Sequence, residues 1–202
     1  MRASKLRVVI AAAVLTAVGI AGASAQQTVR IRGTVEKVDG NTVVVKSADG
    51  AEVTLTLTAN AAIVGVVKAS LADIKAGSFV GSAAMPQADG SQKALEVHIF
   101  AESQRGTGEG HRPYTVPNST MTNGTVGDMV TATDGGTLTI KYKEGEKKIV
   151  VPPGVPIVRY EIGDRSEVKP GAHITALNAV KKQDGSIEAP RLNVGRDGLV
   201  PQ

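Results

Sequence analysis

The side chains that could bind a metal or move a proton are few and scattered. His98, His111 and His173 are the only histidines, Met85, Met121 and Met129 could add soft donors, and cysteine is absent. A zinc or copper site draws several such ligands together, and no two of these histidines stand at a helical or strand ligand spacing. No metal and no cofactor are therefore expected. The chain also lacks a Gly-x-Ser-x-Gly elbow, a His-Glu-x-x-His pair and any thiol. Nucleophilic and metal-assisted hydrolysis thus have no local signature, and the expectation is a protein that is not an enzyme.

Other motifs are weaker still. The Asp-Gly pairs lack the closely spaced acids of a calcium loop and are accounted for by the positive backbone angle of tight hairpins. Gly106-Thr107-Gly108-Glu109-Gly110 has no strand leading in, no helix leading out and no Lys-Ser/Thr after it, so it is no phosphate cradle. Lys141, Lys143, Lys147 and Lys148 form the best basic patch, but Glu144 and Glu146 sit inside it, which reads as a solvated hairpin tip. His98 shares a strand face with Glu96 and Phe100, opposite Leu95, Val97 and Ile99, and that face is expected to be wet. His173 falls where an earlier part of the chain has Phe79, an ordinary strand position.

The densest concentration of recognition chemistry is Arg105, His111, Arg112 and Tyr114, within residues 103–120, a stretch rich in Gly, Pro, Ser and Thr with no apolar period. It reads as an interdomain linker, or as a loop through which these four residues contact a ligand or partner.

What holds that segment is a duplication at a separation of about 95 residues. Gly33-Thr34-Val35 returns as Gly124-Thr125-Val126, Asp39-Gly40 as Asp134-Gly135, Asp49-Gly50 as Glu144-Gly145, Ile63-Val64 as Ile157-Val158, Gly77 as Gly171, and Asp89-Gly90-Ser91 as Asp184-Gly185-Ser186. In the first copy, Val29–Val38, Thr42–Ser47 and Glu52–Thr58 read as strands, with Val53, Leu55 and Leu57 alternating against Glu52, Thr54 and Thr56. Ser70 as N-cap and Asp73 three residues on predict a short helix or turn, and Ser78–Ala84 and Lys93–Phe100 are two further strands. The second copy keeps the order, with Pro152-Pro153-Gly154 and Pro156 breaking it where the first has Thr58–Ala62, and a weaker helical connection is expected there. Three strands, a short helical connection and two strands is the order of an OB-type barrel.

The expected fold is all-β: two tandem small OB-like β-barrels, residues 26–102 and 121–202, each of about five strands with a short helix or turn between strands 3 and 4. Each copy is about 75 residues, enough for a small core of its own. The glycines after acidic residues, Gly40, Gly50, Gly90, Gly135, Gly145 and Gly185, should need left-handed angles, whereas Gly106 and Gly108 in the linker should not. This pattern of turn and core residues resembles a bacterial domain-of-unknown-function family of exported proteins with an OB-like barrel. The resemblance spans both copies; it implies fold and export and supplies no catalytic residue.

Export is also read from the amino terminus. Arg2, Lys5 and Arg7 precede an uncharged apolar run from Val8 to Ile20, and Ala23-Ser24-Ala25 is a small-x-small cleavage site, so residues 1–25 are expected to be a signal peptide removed after Ala25. The apolar run is shorter than the roughly 20 residues of a spanning helix, so no stable membrane span is expected after processing. That segment holds three of the 23 basic residues and none of the 19 acidic ones, leaving 20 against 19. A net charge of +1 and five aromatic residues do not make a nucleic-acid groove, and no nucleic-acid partner is expected. The sequence thus predicts a periplasmic or secreted, non-enzymatic binding or structural module, partnered by an envelope protein or a small ligand. The second reading is an accessory in metal or small-ligand handling at the envelope.

Overall fold

Valine, isoleucine, leucine and threonine runs closed off by Gly turns become strands throughout the computed structural model, which describes residues 27–132 and 135–201. The expected signal peptide and Asp134 of the Asp134-Gly135 turn lie outside these residues. Twelve strands are described: β1 (Gln27–Asp39), β2 (Thr42–Ser47), β3 (Glu52–Lys68), β4 (Phe79–Pro86), β5 (Gln92–Ile99), β6 (Gly110–Pro113), β7 (Thr120–Ala132), β8 (Gly135–Tyr142), β9 (Gly145–Val151), β10 (Ile157–Ile162), β11 (His173–Lys181) and β12 (Ile187–Gly195). The fold is all-β, as expected.

β1 pairs antiparallel with β2 and with β11, β2 with β3, and β11 with β12. β12 then runs parallel to β3, Ala189 beside Leu57 and Leu192 beside Ile63, which closes a five-stranded barrel. Its core is Val35, Val43, Val45, Leu55, Leu57, Ile174, Ala176, Ala179, Ala189, Leu192 and Val194, with Val168 as a plug from the connecting turn. The alternation expected for Val53, Leu55 and Leu57 is seen, with Thr54 and Thr56 exposed.

β4, β5, β7, β8 and β9 form a second ring of pairings, β4 with β5 and β7, β7 with β8, β8 with β9, and β5 parallel to β9 through Gln92 and Lys93 opposite Ile149 and Val150. It surrounds its own core of Val80, Ala94, Val97, Val126, Leu138, Ile140, Ile149 and Val151, plugged by Ile74.

The rings do not follow the copies. The closed barrel takes its first three strands from residues 27–68 and its last two from residues 173–195, and the second ring is the converse. The expectation that residues 26–102 and 121–202 each close a barrel in tandem is corrected here. The reason lies at Thr58–Ala62, where no Gly or Pro stops the chain, so β3 extends for 17 residues and carries the first copy out of its barrel. In the second copy the expected break at Pro152–Pro156 does end β9, and β10 takes the chain back. β10 and the tail of β3 pair antiparallel, Val158 opposite Lys68 and Ile162 opposite Val64. Their inward residues Val64, Val66, Val158 and Tyr160 pack with Phe79 and Phe100 into a third core.

Both connections end in one 3-10 turn. At Leu71–Asp73, the Ser70 backbone N–H and hydroxyl donate to Asp73 Oδ2 at 2.9 and 2.8 Å. At Arg165–Glu167, Ser166 N donates to Asp164 Oδ1 at 2.8 Å and Asp164 N donates to Glu167 Oε1 at 2.9 Å. The second turn is no weaker than the first, because Asp164 and Glu167 supply the capping pair downstream of the prolines.

Residues 103–120 are more than a spacer. A 3-10 turn at Glu102–Gln104 leads to β6, which pairs with β7 with Arg112 opposite Met121. Gly106 and Gly108 stand at φ +85° and +54°, so the expectation that they are free of conformational demand is also corrected.

Candidate functional site

Between the two rings lies a cleft of about 850 Å³. Its walls come from both: Arg30 of β1, Leu177 and Asn178 of β11 and Arg191 of β12 on one side, and Leu95, Glu96 and His98 of β5, Arg112 of β6, and Met121 and Asn123 of β7 on the other. Tyr160 of β10 joins them. Two irregularities of pairing shape the rim. Ala83 pairs with Glu96 and Ala84 with Ala94, which turns Leu95 out, and Val29 pairs with Ala179 while Ile31 pairs with Ala176, so Arg30 faces a bulge at Leu177-Asn178. Asn178 adopts φ +57°, a left-handed angle that asparagine tolerates, and the bulge re-aims these side chains into the cleft.

The floor is aromatic. The His98 imidazole stacks on the Tyr160 ring with centroids 5.0 Å apart and planes 16° from parallel. Phe100 meets His98 edge-on at 4.8 Å and Tyr160 at 5.5 Å. His98, Phe100 and Tyr160 are buried, so the face expected to be wet is covered, by Phe79 from its own half and by Tyr160 from the other. Gly81 makes room for this stack: a Cβ there would overlap His98 Nε2 and Asn123 Oδ1. Asn123 donates from Nδ2 to Thr107 O at 3.0 Å, which fixes its Oδ1 toward His98, and that oxygen is buried with no hydrogen-bond partner among the described residues.

Burial sets the protonation states. It pushes the Glu96 carboxyl up to about 7, against the opposing pull of Arg30 and Arg32. The His98 imidazole is pushed down to about 3 by burial, with the positive fields of Arg191 and Arg112 adding to it. At neutral pH the imidazole is uncharged. Burial lowers the Arg191 guanidinium and raises the Tyr160 hydroxyl. Arg191 lies over the Tyr160 ring, 5.6 Å from its centroid, and donates from Nε to Asn193 Oδ1 at 3.1 Å.

The four residues singled out from sequence are divided. Arg112 and Tyr114 line the cleft, with Arg112 Nη1 donating to Gly108 O at 2.6 Å. Arg105 is outside it and pins the 102–110 loop, paired with Glu102 at 2.5 Å and donating to Gly77 O at 2.9 Å. His111 points to the other face of β6, its Nδ1 2.8 Å from the Thr122 hydroxyl and its ring stacked near Tyr142. Sequence reasoning missed Arg30, Glu96, His98, Tyr160 and Arg191. One signal was present: Phe100 shares the strand face of Glu96 and His98, and an aromatic side chain on that face points to a cover.

A smaller surface cleft of about 570 Å³ runs past His173 and Arg196. There Arg196 is already held by Glu161 and by both oxygens of Glu167, the latter at 2.9 Å, and His173 Nδ1 is 3.0 Å from the Thr34 hydroxyl. Its arginine and histidine are already engaged, so it is the weaker candidate. Among the described residues no three His, Cys, Asp or Glu side chains stand together as a metal site, and no helix is long and apolar enough to cross a membrane.

No protein-family model, curated protein or solved structure matches the chain.

Proposed function

We propose that the protein is a non-enzymatic ligand-binding module of the bacterial envelope, exported after cleavage following Ala25. In this reading the two rings are OB-like barrels that have exchanged their last two strands, related to the exported domain-of-unknown-function family that the turn pattern resembles. The strand order supports it: each ring runs first, second, third, fifth, fourth and back to the first, with a parallel third-to-fifth contact and a capped turn before the fourth strand.

The observation that carries the functional reading is the cleft between the rings, preformed and lined by ring faces, apolar side chains and hydrogen-bond donors from both halves. Clefts of this size, largely apolar with a few convergent polar groups, are where small ligands bind. A thermal-shift screen of the chain from Gln26, against small organic acids, amines, sugars and divalent cations, tests it. The expected result is a stabilising ligand whose effect disappears in a Leu95→Trp variant that fills the cleft. A stabilising ligand indifferent to that change would move the site elsewhere, and a divalent cation as the sole hit would favour a role in metal handling.

A further inference from the structure

Outside the cleft, Arg32 donates to Pro201 O, Arg165 donates to Gly40 O and Asn41 Oδ1, and three further arginines form ion pairs. Arg105, Arg159 and Arg196 each meet a carboxylate, Glu102, Asp73 and Glu161 with Glu167 respectively. Arg30, Arg112 and Arg191 line the cleft, and none of them forms an ion pair among the described residues. Among the described residues Glu96 is the only acid lining the cleft, and burial pushes its carboxyl up to about 7. Arg191 uses Nε on Asn193 and Arg112 uses Nη1 on Gly108, while the Nη1 and Nη2 groups of Arg191 have no hydrogen-bond partner among the described residues. Arg191 is half-buried without a counter-charge, which is costly, and an oxyanion that accepts its two parallel N–H groups relieves that cost; Arg112 is exposed and adds a second cation to the same cleft. Arg112 of β6 and Arg191 of β12 line this one cleft from its two walls, together with His98.

Beside these cations, part of the wall is apolar and part is lined by threonine and asparagine. Leu95 and Val116 are two of the few large hydrophobic side chains left exposed, 40% and 47%, and both line the cleft beside Tyr114 and Met121. Positive donors therefore stand next to an uncovered apolar surface. We infer that the cleft takes a small organic anion carrying an aromatic ring, its carboxylate or similar oxyanion paired with Arg112 and Arg191 and its ring laid against Leu95, Tyr114 and Val116. This rests on the reading of the cleft as a ligand site and adds the chemical class.

The test is titration calorimetry of the chain from Gln26 at pH 7 and low salt with three probes of one shape: 1-naphthaleneacetate, its neutral amide 1-naphthaleneacetamide, and the cationic 1-naphthaleneethylamine. The acetate should bind one to one and at least tenfold more tightly than the amide, with the amine weakest. In an Arg112→Met, Arg191→Met double variant, which keeps the apolar stems, the acetate should lose at least tenfold while the amide changes less than threefold. Circular dichroism and melting of the variant confirm that it is folded, and the single variants serve in its place if it is not. Equal affinity for acetate and amide in the wild type, both abolished by Leu95→Trp, would overturn the anionic ligand and leave the cleft standing as a site. Acetate binding unaffected by Leu95→Trp, or no binding of any probe, would overturn the inference outright, and the first result would remove the cleft reading with it.

Discussion

The His98 imidazole of β5 lies flat on the Tyr160 ring of β10, 5.0 Å between centroids, although 62 positions separate the two along the chain and they lie on either side of residues 103–120. The contact exists because β10, which crosses between the rings beside the tail of β3, also pairs parallel with β5, Val158 opposite His98. The exchange of strands and the floor of the cleft are thus one structural fact, and separating the halves should destroy both.

Fragments test that directly. Residues 27–102 supply three strands to one ring and two to the other and close neither with their own hydrogen bonds. Alone, this fragment should give no cooperative melt as a monomer. Co-expressed with residues 103–202 it should form a one-to-one complex with the β content of the whole chain, and any folded form by itself should be a dimer that repeats the exchange. Circular dichroism and sedimentation decide the matter. A monomeric fragment with a sharp melt would contradict the pairing described.

Strands, turns and breaks were legible in the sequence, and partnership was not. The alternation at Val53, Leu55 and Leu57, the capping pair Ser70 and Asp73, and the stop at Pro152–Pro156 are local, and local patterns decide local structure. Which pair of later strands completes which ring is not local. Both copies present the same alternation and turn signals, so either pairing buries the same residue types. The choice is made by a missing stop at Thr58–Ala62, an absence that pattern reading passes over. The site was hidden for the same reason, since His98 and Phe100 look wet until Phe79 and, from the other half, Tyr160 cover them.

Glu96 and His98 should give the stability an unusual dependence on pH. Glu96 titrates near 7 folded, above its unfolded value, so between about 4.5 and 7 the folded state binds more protons and stability falls as pH rises. His98 titrates near 3 folded, below its unfolded value, so between about 3 and 6.5 the unfolded state binds more protons and stability rises with pH. Over the shared window the two slopes oppose, and the wild type should be nearly level there. Glu96→Gln removes one slope and should leave a climb on the order of 2 kcal/mol from pH 4.5 to 6.5. Urea midpoints across that range measure it, and parallel wild-type and variant curves would show that Glu96 is not held protonated.

Gly81 should be intolerant of any side chain for reasons of space. Alanine there drives a methyl into His98 Nε2 and the Asn123 amide and should cost roughly 1–3 kcal/mol, as overpacked cores do. His98→Ala in the same chain should relieve part of that cost, so the two changes combine to less than their sum. Gly106→Ala meets nothing within 4 Å and should cost only about 1 kcal/mol, through its left-handed angle, with no coupling to His98. Chemical denaturation of the three single variants and the two doubles with His98→Ala provides both cycles, and strict additivity at Gly81 and His98 would refute the close approach.

The last prediction divides the four residues that the sequence singled out. Arg112→Ser with Tyr114→Ser removes a cation and a ring from the cleft wall while breaking one hydrogen bond, to Gly108 O. Affinity for 1-naphthaleneacetate should fall at least tenfold, with the melting temperature falling by no more than about 4 °C, since Arg112 is exposed and Tyr114 half-buried. Arg105→Ser with His111→Ser has the opposite profile. It releases the tether to Gly77 O and the hydrogen bond to the buried Thr122 hydroxyl, the latter worth about 1 kcal/mol, and touches nothing in the cleft. Melting should drop and affinity should hold within about twofold, provided the 102–110 loop stays seated through Asn123 and Thr107. Calorimetry and melting on the two double variants distinguish these outcomes. A shared loss of affinity would mean that the loop acts as one unit, with Arg105 and His111 positioning Arg112 for its ligand.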